Sequence, residues 1–209
     1  MLFRSRFRLA SEQSILPIQA PYRELAADPA RNDLILTDVI TAIAEGHSPI
    51  LLTERKDHLA FFAERLRGFV KHLVVLQGGK TEKERRASGT ALAAIPDGEE
   101  RLVLATGRYI GEGFDDARLD TLFLALPISW KGTLVQYTGR LHRPHPRKLV
   151  VRIFDYVDRA VPMLLKMFER RLRAYRAIGY EQEAMGNSTG ARSDVRADSA
   201  PRLSFLQED

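Results

Sequence analysis

The sequence predicts an α/β domain in which a mostly parallel sheet is covered by helices on both faces. Three observations predict it. Five short runs, "PILLT", "HLVVL", "RLVLA", "TLFLAL" and "LVVRIF", are apolar throughout. Stretches of helical period separate most of them. Glycine, proline or a capping box stands where one pattern gives way to the next. A strand with no polar side must be covered on both faces, and helices between successive strands supply that cover while keeping the strands parallel.

The elements follow in order. Residues 1–31 carry Pro17, Pro21 and Pro29 and show no clear period, so they form a lead-in segment or linker stub. Leu36, Val39, Ile40 and Ile43 mark a helical face that Gly46 ends, and Pro49 leads into "PILLT". Leu59, Phe62, Ala63 and Leu66 repeat the helical spacing, with Gly68 just past the end and "HLVVL" next. Thr81 and Glu84 make a capping box that opens the following helix, which stops before "PDG". "RLVLA", "TLFLAL" (121–126) and "LVVRIF" (149–154) complete the strands, and "GTLVQYTGRL" is a helix closed by Pro144 and Pro146. These elements make a core domain over 32–158. Residues 159–183 follow as a basic amphipathic helical extension, with Val161, Leu165, Phe168, Leu172 and Tyr175 on one face and Lys166, Arg170 and Arg173 on another. Residues 184–209 are polar and aperiodic, the composition of a disordered tail.

Composition narrows the function classes. With 209 residues, 44% of them hydrophobic, the chain builds one core domain and not two. A net charge of +5 and a pI near 9.6 fit an acidic partner such as nucleic acid, and equally a charge excess that serves solubility. The absence of cysteine excludes disulfides, thiolate nucleophiles and zinc knuckles. No run approaches the roughly 18 apolar residues of a membrane span, and "MLFRSRFRLA" lacks the apolar centre of a secretion signal. The expectation is a cytoplasmic protein with no membrane partner.

The polar residues fall where strands end, at "TER", "QGG", "ATGRYIGEGFD" and "PISWKG", which is where open parallel sheets hold their ligands. Thr106 and Gly107 follow the third strand directly. Gly111, Gly113 and Asp115 make a loop whose backbone can approach a phosphate or ribose closely. One strand later, "QYTGRLHR" spaces Gln136, Arg140 and Arg143 by four and three, so on a helix both guanidinium groups face one target, which should be anionic. Gly139 among them costs about 1 kcal/mol relative to alanine and so implies a close approach. Taken singly, each feature has a plainer account. An isolated R-x-x-R is a solvated face, Asp115 and Asp116 can cap a turn, and Phe114 and Trp130 can pack a core. His142 and His145 lack the carboxylate or cysteine company of a zinc site.

Together the features resemble a known family. "ATGRYIGEGFDDARLDTLFLALPISWKGTLVQYTGRLHR" looks like motifs V and VI of superfamily 2 helicases, with Q-x-x-G-R-x-x-R complete at Gln136, Gly139, Arg140 and Arg143. "ILLTERKDH" and "LQGGKTEKER" resemble motif IV and the segment after it, so the likeness covers about residues 33–180 and belongs to the second RecA-like domain of the DEAD/DEAH type. "VPMLLKMFERRLRAYRAIGY" is similar to an extension in translocases of restriction-like and phage-conflict systems. One departure is Ala117, where a proline often follows the motif V aspartate by two residues.

The resemblance implies a three-layer RecA-like domain that meets ATP and Mg2+ in a cleft shared with a P-loop domain. Arg143 would be the arginine finger, Arg140 would neutralise charge on the transferring phosphoryl group, and Gln136 would position phosphate or water. Gly113, Asp115 and Gly139 would lie on the nucleotide side. Thr53, Arg55, Thr106 and Gly107 would line the nucleic-acid strand, DNA being the favoured one, with Gly78 and Gly79 letting a backbone amide approach it.

A complete motor needs a P-loop, G-x-x-x-x-G-K-[ST], and the one candidate, "VVLQGGKT", has Val74 at the leading glycine position. A DExH-like magnesium segment is also missing. The expected function is therefore the C-terminal half of an ATP-dependent helicase or translocase. It is inactive as an ATPase until a P-loop half joins it, from another chain or from a segment lost by truncation. The alternative is a non-enzymatic nucleic-acid-binding or regulatory module of the same fold.

Overall fold

The computed structural model describes residues 2–5, 19–79, 81–107, 109, 114–128, 131–182 and 195–197. The chain runs β1 (Leu2–Ser5), α1 (Gln19–Ala27), α2 (Pro29–Ala44), β2 (Pro49–Thr53), α3 (Lys56–Leu66), β3 (His72–Leu76), α4 (Glu82–Ala93), β4 (Arg101–Thr106) and β5 (Thr121–Leu124). It continues with α5 (Lys131–Leu141), β6 (Val151–Asp158), α6 (Pro162–Ala177), β7 (Tyr180–Gln182) and β8 (Val195–Ala197).

Five parallel strands in the order β3-β4-β2-β5-β6 form the body of the sheet. Alternation along each strand explains the layers. Ile50, Leu52, Val103, Ala105, Leu122, Leu124 and Ile153 pack with Leu92 of α4, Leu134 and Tyr137 of α5, and Phe168 and Tyr175 of α6. Their neighbours Leu51, Leu102, Leu104, Phe123 and Phe154 pack with Ile35 and Val39 of α2 and Leu59 and Phe62 of α3. The result is a RecA-like three-layer fold. β1 adds in parallel to Asp155–Asp158 of β6, while β8 pairs antiparallel with Val151–Ile153 and with β7. Of the tail expected to be disordered, Val195–Ala197 are therefore in the sheet, and 184–194 and 198–209 lie outside the described residues.

The local signals hold where they are strongest. Thr81 and Glu84 form the capping box of α4, and Gly46 and Gly68 take φ of +82° and +88° just past α2 and α3. Three differences have physical reasons. The segment read as a linker stub holds α1 and the start of α2, where Asp28 caps the Arg31 amide and Pro29 sits in the first turn. The apolar contribution of α1 comes from Leu25, Tyr22 and Ala26, too few to show a period, and they dock on Leu126 and on Leu164 and Met167 of α6. β6 starts at Val151 and runs to Asp158, leaving Leu149 91% exposed. The buried face of α6 centres on Leu164, Phe168, Arg171 and Tyr175, so an arginine stands within the apolar stripe. Among the described residues, no helix is long and apolar enough to cross a membrane.

Candidate functional site

The loops after β2, β3, β4 and β5 gather at the carboxyl edge of the sheet. The chain leaves β2 for the α3 face and leaves β5 for the α5 face, which opens a crevice between them.

Thr106 ends β4 and its hydroxyl accepts the Gly78 amide at 2.9 Å, joining the loop after β3 to β4. That amide is spent inside the fold, so the expected approach of a strand to the Gly78 N–H is corrected. Gly79 turns the chain with φ +89°. Thr53 is also corrected as a phosphate contact, being 2% exposed with its hydroxyl 3.1 Å from His58 Nδ1. Asn32 Nδ2 donates to Ala26 O, which leaves Asn32 Oδ1 to accept from His58 Nε2–H at 2.9 Å and makes Nδ1 the acceptor of the Thr53 proton. Burial, with the Arg31 charge nearby, pushes His58 down to about 3, so the ring stays neutral. Arg55 does face outward. Its guanidinium pairs with Asp57, and that hydrogen bond raises the arginine and lowers the carboxylate.

Gly107 explains itself by contact. A Cβ there would fall on the Glu54 carboxylate and 2.5 Å from the Tyr137 hydroxyl, so only glycine lets β2, β4 and α5 close together. Glu54 is exposed as a residue, yet its carboxyl end is crowded here, and the loss of water pushes its pKa up. Tyr137 is buried and raised for the same reason first, with the Glu54 charge adding to it. The sequence singled out the residues on either side of Glu54 and missed Glu54 itself.

Helix α5 ends at Leu141, so the expected single face of Gln136, Arg140 and Arg143 is corrected: Arg143 sits in the turn beyond, its amide reaching Arg140 O at 3.4 Å. That turn carries Arg143 Nε to 3.1 Å from Asp115 Oδ1, on the loop after β4. Gln136 is exposed, and the half-exposed Arg140 guanidinium has no partner among the described residues. A Cβ on Gly139 would meet nothing within 4 Å, so its close approach, if it has one, is to something outside this chain. Asp116 is structural: it holds Arg118 through both oxygens at 2.8 and 2.9 Å, and Arg118 closes the end of α4 at Leu92 O and Ile95 O. Phe114 is buried against Tyr109. Gly111, Gly113, Trp130 and Lys80 lie outside the described residues.

The bridge from β5 to α5 is fastened by three side chains that the motifs do not contain. Arg31 of α2 donates to Ala125 O, Tyr22 of α1 to Pro127 O at 2.6 Å, and Arg171 of α6 to Ile128 O at 3.1 Å. Arg171 also makes a fork on Asp155, Nε to Oδ2 at 2.6 Å and Nη2 to Oδ1 at 2.8 Å, and Tyr175 donates to the same carboxylate at 2.9 Å. Burial alone would lower Arg171, but Asp155 more than offsets it and holds the guanidinium charged. Burial carries Tyr22 up to about 12. Arg171 was visible in the sequence as a charge at i, i+7 and i+11 spacing with Leu164, Phe168 and Tyr175 on the apolar face of α6.

No protein-family model matches the chain. Among solved structures it is similar to T4 UvsW (TM-score 0.61, 18% identity, 78% of this chain and 36% of that one). It is also similar to the C-terminal part of the Fun30 ATPase domain (0.58, 12%, 72% and 49%). A third is the E. coli DEAD-box protein SrmB (0.53, 18%, 66% and 79%). Transcript termination protein A18 of vaccinia virus (strain Ankara) is 27% identical over 121 residues, 57% of this chain, and this chain spans 24% of that protein's length. Uncharacterized protein 108L of invertebrate iridescent virus 3 is 33% identical over 98 residues, which are 47% of this chain and 89% of that protein. The chain therefore belongs to one family with protein 108L and has a helicase-like RecA fold.

Proposed function

We propose that this chain is the C-terminal, arginine-bearing half of an ATP-dependent nucleic-acid helicase or translocase. The observation that carries it is the pair Arg140 and Arg143 at the end of α5, one without a partner and one joined by an exposed contact to Asp115, on a helicase-like RecA fold.

These donors suit the anionic end of a nucleoside triphosphate, which with Mg2+ supplies the phosphoryl-transfer chemistry when bound. Arg143 would release Asp115 and reach the transferring phosphoryl group. Arg140 would neutralise charge beside it, and Gln136 would orient the attacking oxygen. Gly113 and Gly139 would border the nucleotide. Arg55, Gly79 and the backbone of Thr106 and Gly107 would take one side of the nucleic-acid strand, in place of the buried Thr53 hydroxyl. Val74 lies within β3, so "QGGKT" cannot wrap a triphosphate as a P-loop does. The magnesium-holding half would come from another domain.

A non-enzymatic nucleic-acid module is the second reading, favoured by that same strand position of Val74. One experiment separates the two: ATPase activity of the purified chain, alone and with a P-loop domain, with and without DNA or RNA. RNA is included because the vaccinia relative is named for transcript termination. Activity only in the mixture, lost in Arg143→Ala, supports the half-motor. Activity in the chain alone overturns it, and nucleic-acid binding with no activity in any mixture leaves the module.

A further inference from the structure

The opposite edge of the sheet, where the strands begin, holds a cavity of about 210 Å3. It lies between the starts of β2, β4 and β5 and the turn that follows α5, and Arg101, Arg118 and Arg147 line it. Arg101 is 1% exposed at the head of β4. Its Nη2 donates to Pro96 O at 2.9 Å and its Nε to Glu99 O at 3.4 Å, but buried Nη1 has no hydrogen-bond partner. A buried guanidinium donor without an acceptor costs stability, so the fold keeps it for a reason. Arg147 is exposed, has no ion pair among the described residues, and lies over Gly98, where φ is +87° and its guanidinium carbon is 2.8 Å from where a Cβ would be. Only glycine admits it there.

Carboxylates border the same cavity, and their oxygens are already engaged. Glu99 binds Lys71 Nζ at 2.9 Å and His72. Glu100 accepts the Lys71 amide, and Asp120 takes the Ser48 amide, the Thr121 hydroxyl and His47. Arg118 spends its donors on Asp116, Leu92 O and Ile95 O. The unsatisfied groups are both donors, Arg101 Nη1 and the Arg147 guanidinium. Two like charges at one cavity, with nearby acids otherwise occupied, call for an anion between them. The volume is below the ~300–1,000 Å3 of sites that enclose drug-sized ligands, which limits the anion to a small one.

We propose that this cavity binds a small tetrahedral oxyanion, inorganic phosphate or the phosphate of a small monoester, between Arg101 and Arg147. The site stands apart from the crevice and does not rest on the helicase reading.

The test is thermal unfolding of the full chain in sodium phosphate, in phenyl phosphate and in sodium chloride, at matched pH and ionic strength. Phosphate should raise Tm in a saturable way beyond chloride, as any ligand of the native state does. A response to phosphate alone assigns the free ion, and a response to both assigns the monoester class; either supports the site. Arg147→Ala, a surface change that leaves the fold intact, should weaken the apparent affinity at least fivefold, and Arg101→Met should abolish the response if it folds. The Arg140→Ala/Arg143→Ala double variant should respond as the parent does. A phosphate effect no larger than chloride, or one unchanged in Arg147→Ala, overturns the proposal. An effect lost in the Arg140/Arg143 variant and kept in Arg147→Ala also overturns it, and assigns the anion to the end of α5.

Discussion

Arg143 Nε stands 3.1 Å from Asp115 Oδ1, which ties the turn after α5 to the loop after β4. Both side chains are substantially exposed, 54% and 39%, so the pair is worth about 0–1 kcal/mol and opens at little cost. An arginine held this way is fixed enough to be placed and free enough to be taken by a stronger anion. Asp115→Asn should therefore shift the urea midpoint by less than about 1 kcal/mol equivalent. In a reconstituted ATPase, Arg143→Ala should lower turnover by about 10^3-fold or more, read as phosphate release. Full turnover in that variant would remove Arg143 from the chemistry.

Gly139 gives a prediction of unusual sign. Its Cβ position is open, so Gly139→Ala should stabilise the isolated chain by about 0.5–1 kcal/mol through helix propensity. Under the proposed function the same variant should lose activity with the P-loop partner, because the space the glycine leaves is then filled from outside. A variant both more stable and fully active would show that nothing approaches Gly139.

Gly107→Ala should act in the opposite direction. The added methyl meets the Glu54 carboxylate, which can swing away, and the Tyr137 hydroxyl, which is fixed on a buried ring. A loss of about 1–3 kcal/mol in chemical denaturation is expected. Pairing it with Tyr137→Phe should recover part of that loss. No recovery would mean that the strain lies in the backbone.

The Arg171–Asp155 fork is buried on both sides, 4% and 2% exposed. Removing one partner of such a pair typically costs about 3–5 kcal/mol because the other charge is stranded. Arg171→Ala should show that loss, and Arg171→Met less than Arg171→Ala because it keeps the packing. If the Ile128 carbonyl anchors α5, amide hydrogen exchange over residues 125–135 should quicken in both variants. Exchange confined to α6 would restrict Arg171 to holding its own helix.

His58 supplies a pH dependence. Its pKa lies near 3 in the folded chain, below the ordinary value of 6.5, so between those limits the unfolded state binds more protons than the native one. Stability is fully present above about pH 6.5 and falls as pH falls, by at most about 1.4 kcal/mol per pH unit from this group. Urea unfolding of parent and His58→Gln from pH 7.5 to 4 isolates the contribution as the difference in slope. Equal slopes would refute a neutral buried ring.

Much of the fold was legible because its signals are local. "PILLT" and "HLVVL" are β2 and β3 residue for residue, and Thr81 and Glu84 close a capping box whose partners are three positions apart. The candidate site was legible in its loops for the same reason, since polar residues at strand ends mark the ligand edge of any parallel sheet. Thr53 and Gly78 went the other way. Whether a hydroxyl or an amide faces solvent depends on what lies across from it, and here His58 and Thr106 had already taken them.

The sequence by itself determined the α/β class, the apolar strands, the helix ends and the Q-x-x-G-R-x-x-R spacing, all of them set by neighbours within a few residues. Tertiary structure decided that residues 19–31 belong to the domain, that Arg143 leaves the face of Arg140 to meet Asp115, and that Arg31, Tyr22 and Arg171 hold the road from β5 to α5. Those contacts join residues from 16 to 105 positions apart. No periodicity reports such a pairing, because it exists only once the layers have packed and the buried donors must find acceptors.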